Sequence, residues 1–392
     1  MTIPGLALFY GGLVRRKNVL ATMMQSFFAL CLISIQWVLF GYTLSFGPDK
    51  YHMIGGLSWL CLKGVSIAPN PDYAGTIPHI LFMAYQMMFA VITPGLITGA
   101  FAERIKFSAY VVFTLLWATL VYNPICHWVW GTGGWLRNLG VLDFAGGIVV
   151  HASSGFSALA CVLIIGSRRG YGREPMPPHN LPLVIIGAGL LWFGWFGFNA
   201  GSALGANGLA ATALVATNTA AAAAALVWMC IEWKVAGKPT MLGGATGAVA
   251  GLATITPAAG FVSPMSSIII GIAAAVICYT AVAVVKLKLA YDDSLDAFGV
   301  HGIGGVVGTL AVGIFAQKAI NAAGNDGLLF GNPSQFLIQA LGVIAVVAYS
   351  VAVTIVLLKV IDAVIGLRVT DDEEVIGLDI TQHEESAYTL LD

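Results

Sequence analysis

Charge is what this 392-residue chain has least of: Asp, Glu, Lys and Arg together make up 9% of it, and its net charge at pH 7 is −1. With 58% apolar residues and a mean hydropathy of +0.87, too few polar side chains remain to cover a surface facing water, which excludes a soluble globular domain. No basic block is long enough to hold a phosphate backbone, so nucleic acid is not an expected partner. The six cysteines (Cys31, Cys61, Cys126, Cys161, Cys230 and Cys278) stand singly, with no C-x-x-C and no Cys/His cluster at metal-ligand spacing. They read as small buried hydrophobes, and neither a metal nor another cofactor is expected. A nucleophile paired with a base and a phosphate-cradling loop are also missing, so an enzyme is the least expected class. The first residues lack the basic region and cleavage site of a secretory leader, so internal spans are expected to act as the insertion signal.

What the chain does have is apolar length. About 20 apolar residues cross roughly 30 Å of hydrocarbon as a helix, and ten stretches reach that length: 20–46, 77–102, 107–126, 144–166, 181–201, 209–231, 241–260, 267–289, 299–319 and 336–358. Ahead of them, "MTIPGLALFYGGL" reads as the closing turns of an eleventh span, expected to be cut short at its N-terminal side. Alternate connections hold 14 of the 18 basic residues, among them Arg15, Arg104, Arg168, Lys286 and Arg368. By the positive-inside rule these loops and the C-terminal tail are expected in the cytoplasm.

"LDFAGG" at 142 opens the fifth span and "LDAFGVHG" at 295 opens the tenth, each with Asp, Phe, Gly and a following His. Five spans separate corresponding points, and an odd number inverts the second copy, as in transporters built from inverted repeats. The expected fold is an all-α polytopic membrane protein, an inverted five-plus-five helix repeat with one extra C-terminal span. A transmembrane domain over 1–366 and a cytoplasmic tail over 367–392 complete the expected organisation.

Asp143 falls at the outer start of its helix, where its carboxylate can cap the N–H groups of Ala145 or Gly146 or favour a cation above it. His151 lies about two turns deeper, near mid-membrane, and His301 holds the corresponding place in the second repeat. Two ionisable residues at one depth from two inverted halves suggest a shared pore lining. Aromatics crowd the outer ends: Phe89 in "AYQMMFAVITPGL", Trp128 and Trp130 in "HWVWGTGGW", and Trp195, Phe198 and Ser202 in "LLWFGWFGFNAGSA". Interface belts explain many such residues, but an aromatic cluster with a hydroxyl is also a cage for a small cation.

In this order, "PGLALFYGGLVRRKN", "GAFAERIKFSAY", "DFAGGIVVH", "WFGWFGFNAGSA", "DAFGVHG" and "EEVIGLDITQHEESAY" resemble the ammonium transporter family, Amt/Mep/Rh, over nearly the whole chain. The resemblance implies that Phe89 and Phe198 form a stacked aromatic gate. It implies an outer ammonium site at Trp130 and Ser202, with Trp128 competing for the first place and Asp143 supporting recruitment and deprotonation. His151 and His301 would be paired pore histidines with Trp195 beside them. It further implies ammonium and methylammonium as substrates, a homotrimer in the inner or plasma membrane, and PII-type signal proteins as partners at the cytoplasmic face. Trp130 with Ser202 points to the Amt branch. The alternatives are an Rh-like channel for ammonia or carbon dioxide, and an ammonium sensor acting through a PII-type partner.

Overall fold

The computed structural model describes residues 1–388, so the last four residues of the acidic tail lie outside the described residues. In hydrocarbon every backbone polar group needs an internal partner, and helices supply it within the segment. Among the described residues, nine helices are long and apolar enough to cross a membrane. Numbered with the two shorter ones, they are α1 (Thr2–Leu13), α2 (Arg16–Phe46), α3 (His79–Phe101), α4 (Phe107–Asn138, interrupted at 131–134), α5 (Gly147–Ile165), α6 (Leu181–Ala203), α7 (Gly208–Ala236), α8 (Met241–Ile255), α9 (Pro264–Leu289), α10 (Phe298–Phe315) and α11 (Pro333–Val364). Two small two-stranded sheets occupy the loop between α2 and α3.

The stretch 241–260 departs from its expected length. The α-helix ends at Ile255, two residues before Pro257, which has no N–H to give and restricts the residue ahead of it. Cysteine burial departs as well: Cys126, Cys161 and Cys278 are buried, but Cys31, Cys61 and Cys230 are exposed, as a lipid-facing or loop position permits.

The inverted repeat is visible in how counterpart helices meet. Helix α1 crosses α6 with Gly5 against Leu191 and Gly187, and Gly12 against Val184, while Gly194 faces Thr2. Residue number rises along one helix as it falls along the other, so the two run antiparallel. Helices α5 and α10 meet the same way: a Cβ on Gly155 would overlap the backbone of Gly302, and one on Gly305 would overlap Ala152. Glycine at these points lets backbones touch, which replaces the hydrophobic drive that lipid cannot supply between helices. Helix α11 packs on α5 and α10 from outside the repeat.

One end of the bundle gathers the basic connections, here called the basic end. Glu103 binds Arg15 and Arg168, and Asp292 binds Arg168 and Arg104. The tail packs onto this network. Helix α12 (Asp371–Ile376) starts with a capping box between Thr370 and Glu373, and α13 (Leu378–His383) follows. Buried Glu374 accepts from the backbone of Arg169 and from Arg368, and Asp379 accepts from the backbone of Ala21.

Candidate functional site

At the end opposite the basic one, a cavity of about 480 Å³ opens between α3, α4 and α6. Phe89, Trp130, Ser202 and Asp143 all line it. Trp128 does not; its indole Nε1 donates to the carbonyl of Met53, and its ring packs between Trp135 and Tyr349. Two residues on a helix turn a side chain about 200°, so the two tryptophans face opposite ways. Trp130 is held by a 2.8 Å bond from Nε1 to the carbonyl of Asp143.

The carboxylate of Asp143 is almost fully buried and accepts from four backbone N–H groups: Gly146 at 2.8 Å, Gly147 at 2.6 Å, Ile148 at 2.9 Å and Val149 at 3.2 Å. Ala145, an expected donor, is not among them. The wide fan arises because 147–152 is a π-helical turn, entered through Gly146 at φ +117°, a backbone region that glycine occupies without strain. Burial pushes the carboxyl above its ordinary range, and the four N–H groups oppose that push.

Phe89 and Phe198 close the cavity floor. Their ring centroids lie 4.5 Å apart at 52°, tilted and not stacked as expected. Phe89 also meets Trp130 edge-on at 5.5 Å. Tyr85, one turn before Phe89, donates to the carbonyl of Phe198 at 2.6 Å and lies 3.0 Å from the Ser202 hydroxyl. Tyr85 was not singled out from sequence, although its i, i+4 spacing from Phe89 places it on the same helix face.

Below the rings is a lumen of about 10 Å³, lined by His151, His301 and Trp195 with otherwise almost wholly apolar side chains. That is near the smallest space that holds a water molecule. The imidazoles stack at 5.2 Å with planes 14° apart, and Trp195 lies over His151 at 5.6 Å, its Nε1 committed to Thr256. Both nitrogens of His151 and Nδ1 of His301 are buried without a protein hydrogen-bond partner. Buried polar atoms are normally paired, and an unpaired one costs about 1–3 kcal/mol, so these nitrogens retain hydrogen-bonding capacity toward a small polar molecule. His301 also lines a third cavity of about 60 Å³ with Tyr10, Thr246 and Asp296 toward the basic end.

The counterpart of Asp143 is Asp293, not the Asp296 of "LDAFGVHG". Asp143 precedes His151 by eight residues, as Asp293 precedes His301. The carboxylate of Asp293 accepts from Ala297 and Phe298 at the head of a second π-helical turn, 298–302. Burial, with Asp296 alongside, pushes the Asp293 carboxyl above the usual carboxylate range. The constant offset of 150 positions was the available sequence signal.

The family model described as "Ammonium Transporter Family" matches residues 1–388. The chain is similar to the ammonium transporter of Bacillus subtilis, 53% identical over 385 residues covering 98% of this chain and 94% of that protein. The crystal structure of Candida albicans Mep2 is 40% identical with a TM-score of 0.89, over 95% of this chain and 84% of that one. A solved structure named Sensor Amt Protein is 30% identical, also at TM-score 0.89, over 97% and 94% of the two chains.

Proposed function

This chain belongs to the ammonium transporter family, and from that premise we propose that it recruits ammonium in the wide cavity, removes its proton there and passes ammonia between His151 and His301. The observation that carries the reading is the pair of imidazoles with unpartnered nitrogens in an otherwise apolar lumen directly beneath the ring pair. Trp130, Phe89 and Ser202 form the outer site, where an aromatic face attracts a desolvated cation by about 2 kcal/mol. A fixed carboxylate at Asp143 adds a negative charge below it.

The energetics favour a neutral passenger. An unscreened charge at mid-bilayer costs about 10–17 kcal/mol. Taking lysine's reference value of about 10.4 as a stand-in for ammonium, deprotonation at pH 7 costs about 4–5 kcal/mol. Parting the Phe89–Phe198 pair forfeits only about 0.5–1.5 kcal/mol of ring contact, so thermal motion opens the gate. The imidazoles then supply hydrogen bonds that ammonia would otherwise leave behind in water, and they offer a separate path for the proton. Potassium can neither donate a hydrogen bond to Ser202 nor shed a proton, which gives selectivity its physical basis.

The proposed setting is the inner or plasma membrane, with the basic end and the tail cytoplasmic. A homotrimer and a PII-type partner at the basic end follow from the family resemblance. The test is purified protein in liposomes, with labelled methylammonium uptake and current recorded together. Saturable uptake with a charge-to-substrate ratio near one supports a relayed proton, and saturable uptake without current supports ammonia alone. Absence of saturable uptake overturns the transport reading. It would favour the second reading, a sensor signalling through a partner, which draws on the likeness to Sensor Amt Protein.

A further inference from the structure

The two mouths of the pore differ in a way their pseudo-symmetry does not require. Among the described residues, Asp143 accepts only from backbone N–H groups. At the other mouth, Lys286 on α9 extends its Nζ to the backbone carbonyl of Asp293 at 2.8 Å and to the Asp296 carboxylate at 2.5 Å. Asp296 sits at φ +60° and lines the 60 Å³ cavity together with His301. His301, only 3% exposed, lines both this cavity and the lumen above it, and its Nδ1 is buried without a protein partner.

The side-chain terminus of lysine is a primary ammonium: a cationic nitrogen with three N–H donors and no acceptor. It is therefore the chemical likeness, on a tether, of the ion this family carries. We propose that Lys286 is a built-in occupant of a cation seat at the basic-end mouth, its ammonium group filling the place beside Asp293 and Asp296 that free ammonium would otherwise take. The inference rests on the transport reading above. Its consequence is a mouth that releases substrate and is not blocked by ammonium accumulating on the basic side. The wide mouth, where Asp143 carries no such group, remains open to capture.

Tethering sets the scale. A group held by a short flexible linker competes at an effective concentration on the order of millimolar or more, so free ammonium below that level does not displace it. Lys286 is a positioning residue and not a carrier of substrate. A lysine that merely neutralised two acids would matter for stability, but its loss would create no inhibition by substrate from one side.

The experiment uses the full-length protein in vesicles sorted for the basic end facing the lumen, with both compartments clamped at one pH. Labelled methylammonium influx is measured with internal unlabelled ammonium raised from micromolar to millimolar, each protein compared with its own ammonium-free vesicles. The native protein is expected to lose less than about twofold of its influx below millimolar internal ammonium, and Lys286→Met about fivefold or more, as removal of a tethered competitor predicts. Lys286→Met combined with Asp296→Asn should return to native insensitivity. Equal sensitivity of native and Lys286→Met, or a double variant as sensitive as the single one, overturns the proposal. Should Lys286→Met fail to fold, the native protein alone decides. Inhibition from the basic side should need about tenfold more ammonium than saturation from the other side, the factor about 1.4 kcal/mol of weaker binding gives, and equal concentrations overturn the idea. A native protein that does not transport at all overturns the transport reading, and this inference falls with it.

Discussion

Replacing Asp143 by alanine takes one carboxylate from four backbone N–H groups at 2.6–3.2 Å. An unpaired buried donor costs about 1–3 kcal/mol, so four give a loss of about 4 kcal/mol at the lower bound. That approaches the whole margin of about 5–15 kcal/mol by which folded proteins persist. Asp143→Asn keeps one acceptor oxygen but turns an NH₂ toward either Gly146 and Gly147 or Ile148 and Val149, leaving two donors unpaired at about 2 kcal/mol or more. Asp143→Glu retains the charge at the expense of cap geometry and should lie between Asn and native. The affected turn carries His151, so transport should fall in the same order as stability, with alanine abolishing it. Thermal unfolding in detergent and uptake in liposomes, measured on the same preparations, check both. If the Ala and Asn variants unfolded like the native protein while uptake vanished, the carboxylate would act on substrate alone and the capping argument would be refuted.

Trp130→Leu should weaken apparent ammonium affinity by up to about 30-fold, the equivalent of 2 kcal/mol of cation–π attraction, whereas Trp128→Leu should alter stability only; saturation curves distinguish them, and the reverse pattern would relocate the outer site. Changing His151 or His301 to Glu places a fixed negative charge in the lumen, draws water in and lowers the barrier to intact cations. Such variants should leak potassium in flux assays, and strictly potassium-tight variants that still pass ammonium would count against the pore role. Asp292 supplies a pH test: burial opposes its charge, but Arg168 and Arg104 hold it below the usual carboxylate range. Its stabilisation is thus complete above the unfolded value of about 3.9 and is lost as pH falls through the lower folded value; Asp292→Asn should flatten the acid limb of unfolding below about pH 4. Deleting residues after Arg368 removes Glu374 from Arg169 and Asp379 from Ala21, and should lower transport or abolish inhibition by a PII-type protein, read in the same uptake assay.

Hydropathy made the spans legible because crossing length is a composition signal, and it erred at 241–260 where one proline outweighed continuing apolarity. The positions of Phe89, Phe198, Trp130 and Ser202 were legible as motifs, but not their angles. Ring tilt at the gate depends on packing against Trp130 and His151, which no linear pattern encodes. The Asp143 cap was readable in kind and misjudged in extent, because a π-helical turn shifts which N–H groups face the carboxylate. Asp293 was hidden by a better-looking neighbour: Asp296 sits in the same "DAFGVHG" motif, and only the constant spacing to the histidine separates them. Tyr85 lies inside "AYQMMFAVITPGL" without a signal of its own, and its bonds to Phe198 and Ser202 depend on a contact between α3 and α6.

The docking of the tail on the basic end also bears on the order of biogenesis. Asp379 and Glu374 reach residues near the chain's beginning and middle, Ala21 and Arg169, while Asn18 accepts no tail contact until Leu378 can donate to it. Synthesis must therefore pass residue 379 before these early loops gain their final partners. Until residues 374 and 375 have been made, Lys17 lacks the two tail carbonyls to which its Nζ donates, so the Arg15–Lys17 loop takes its final form after the spans that follow it.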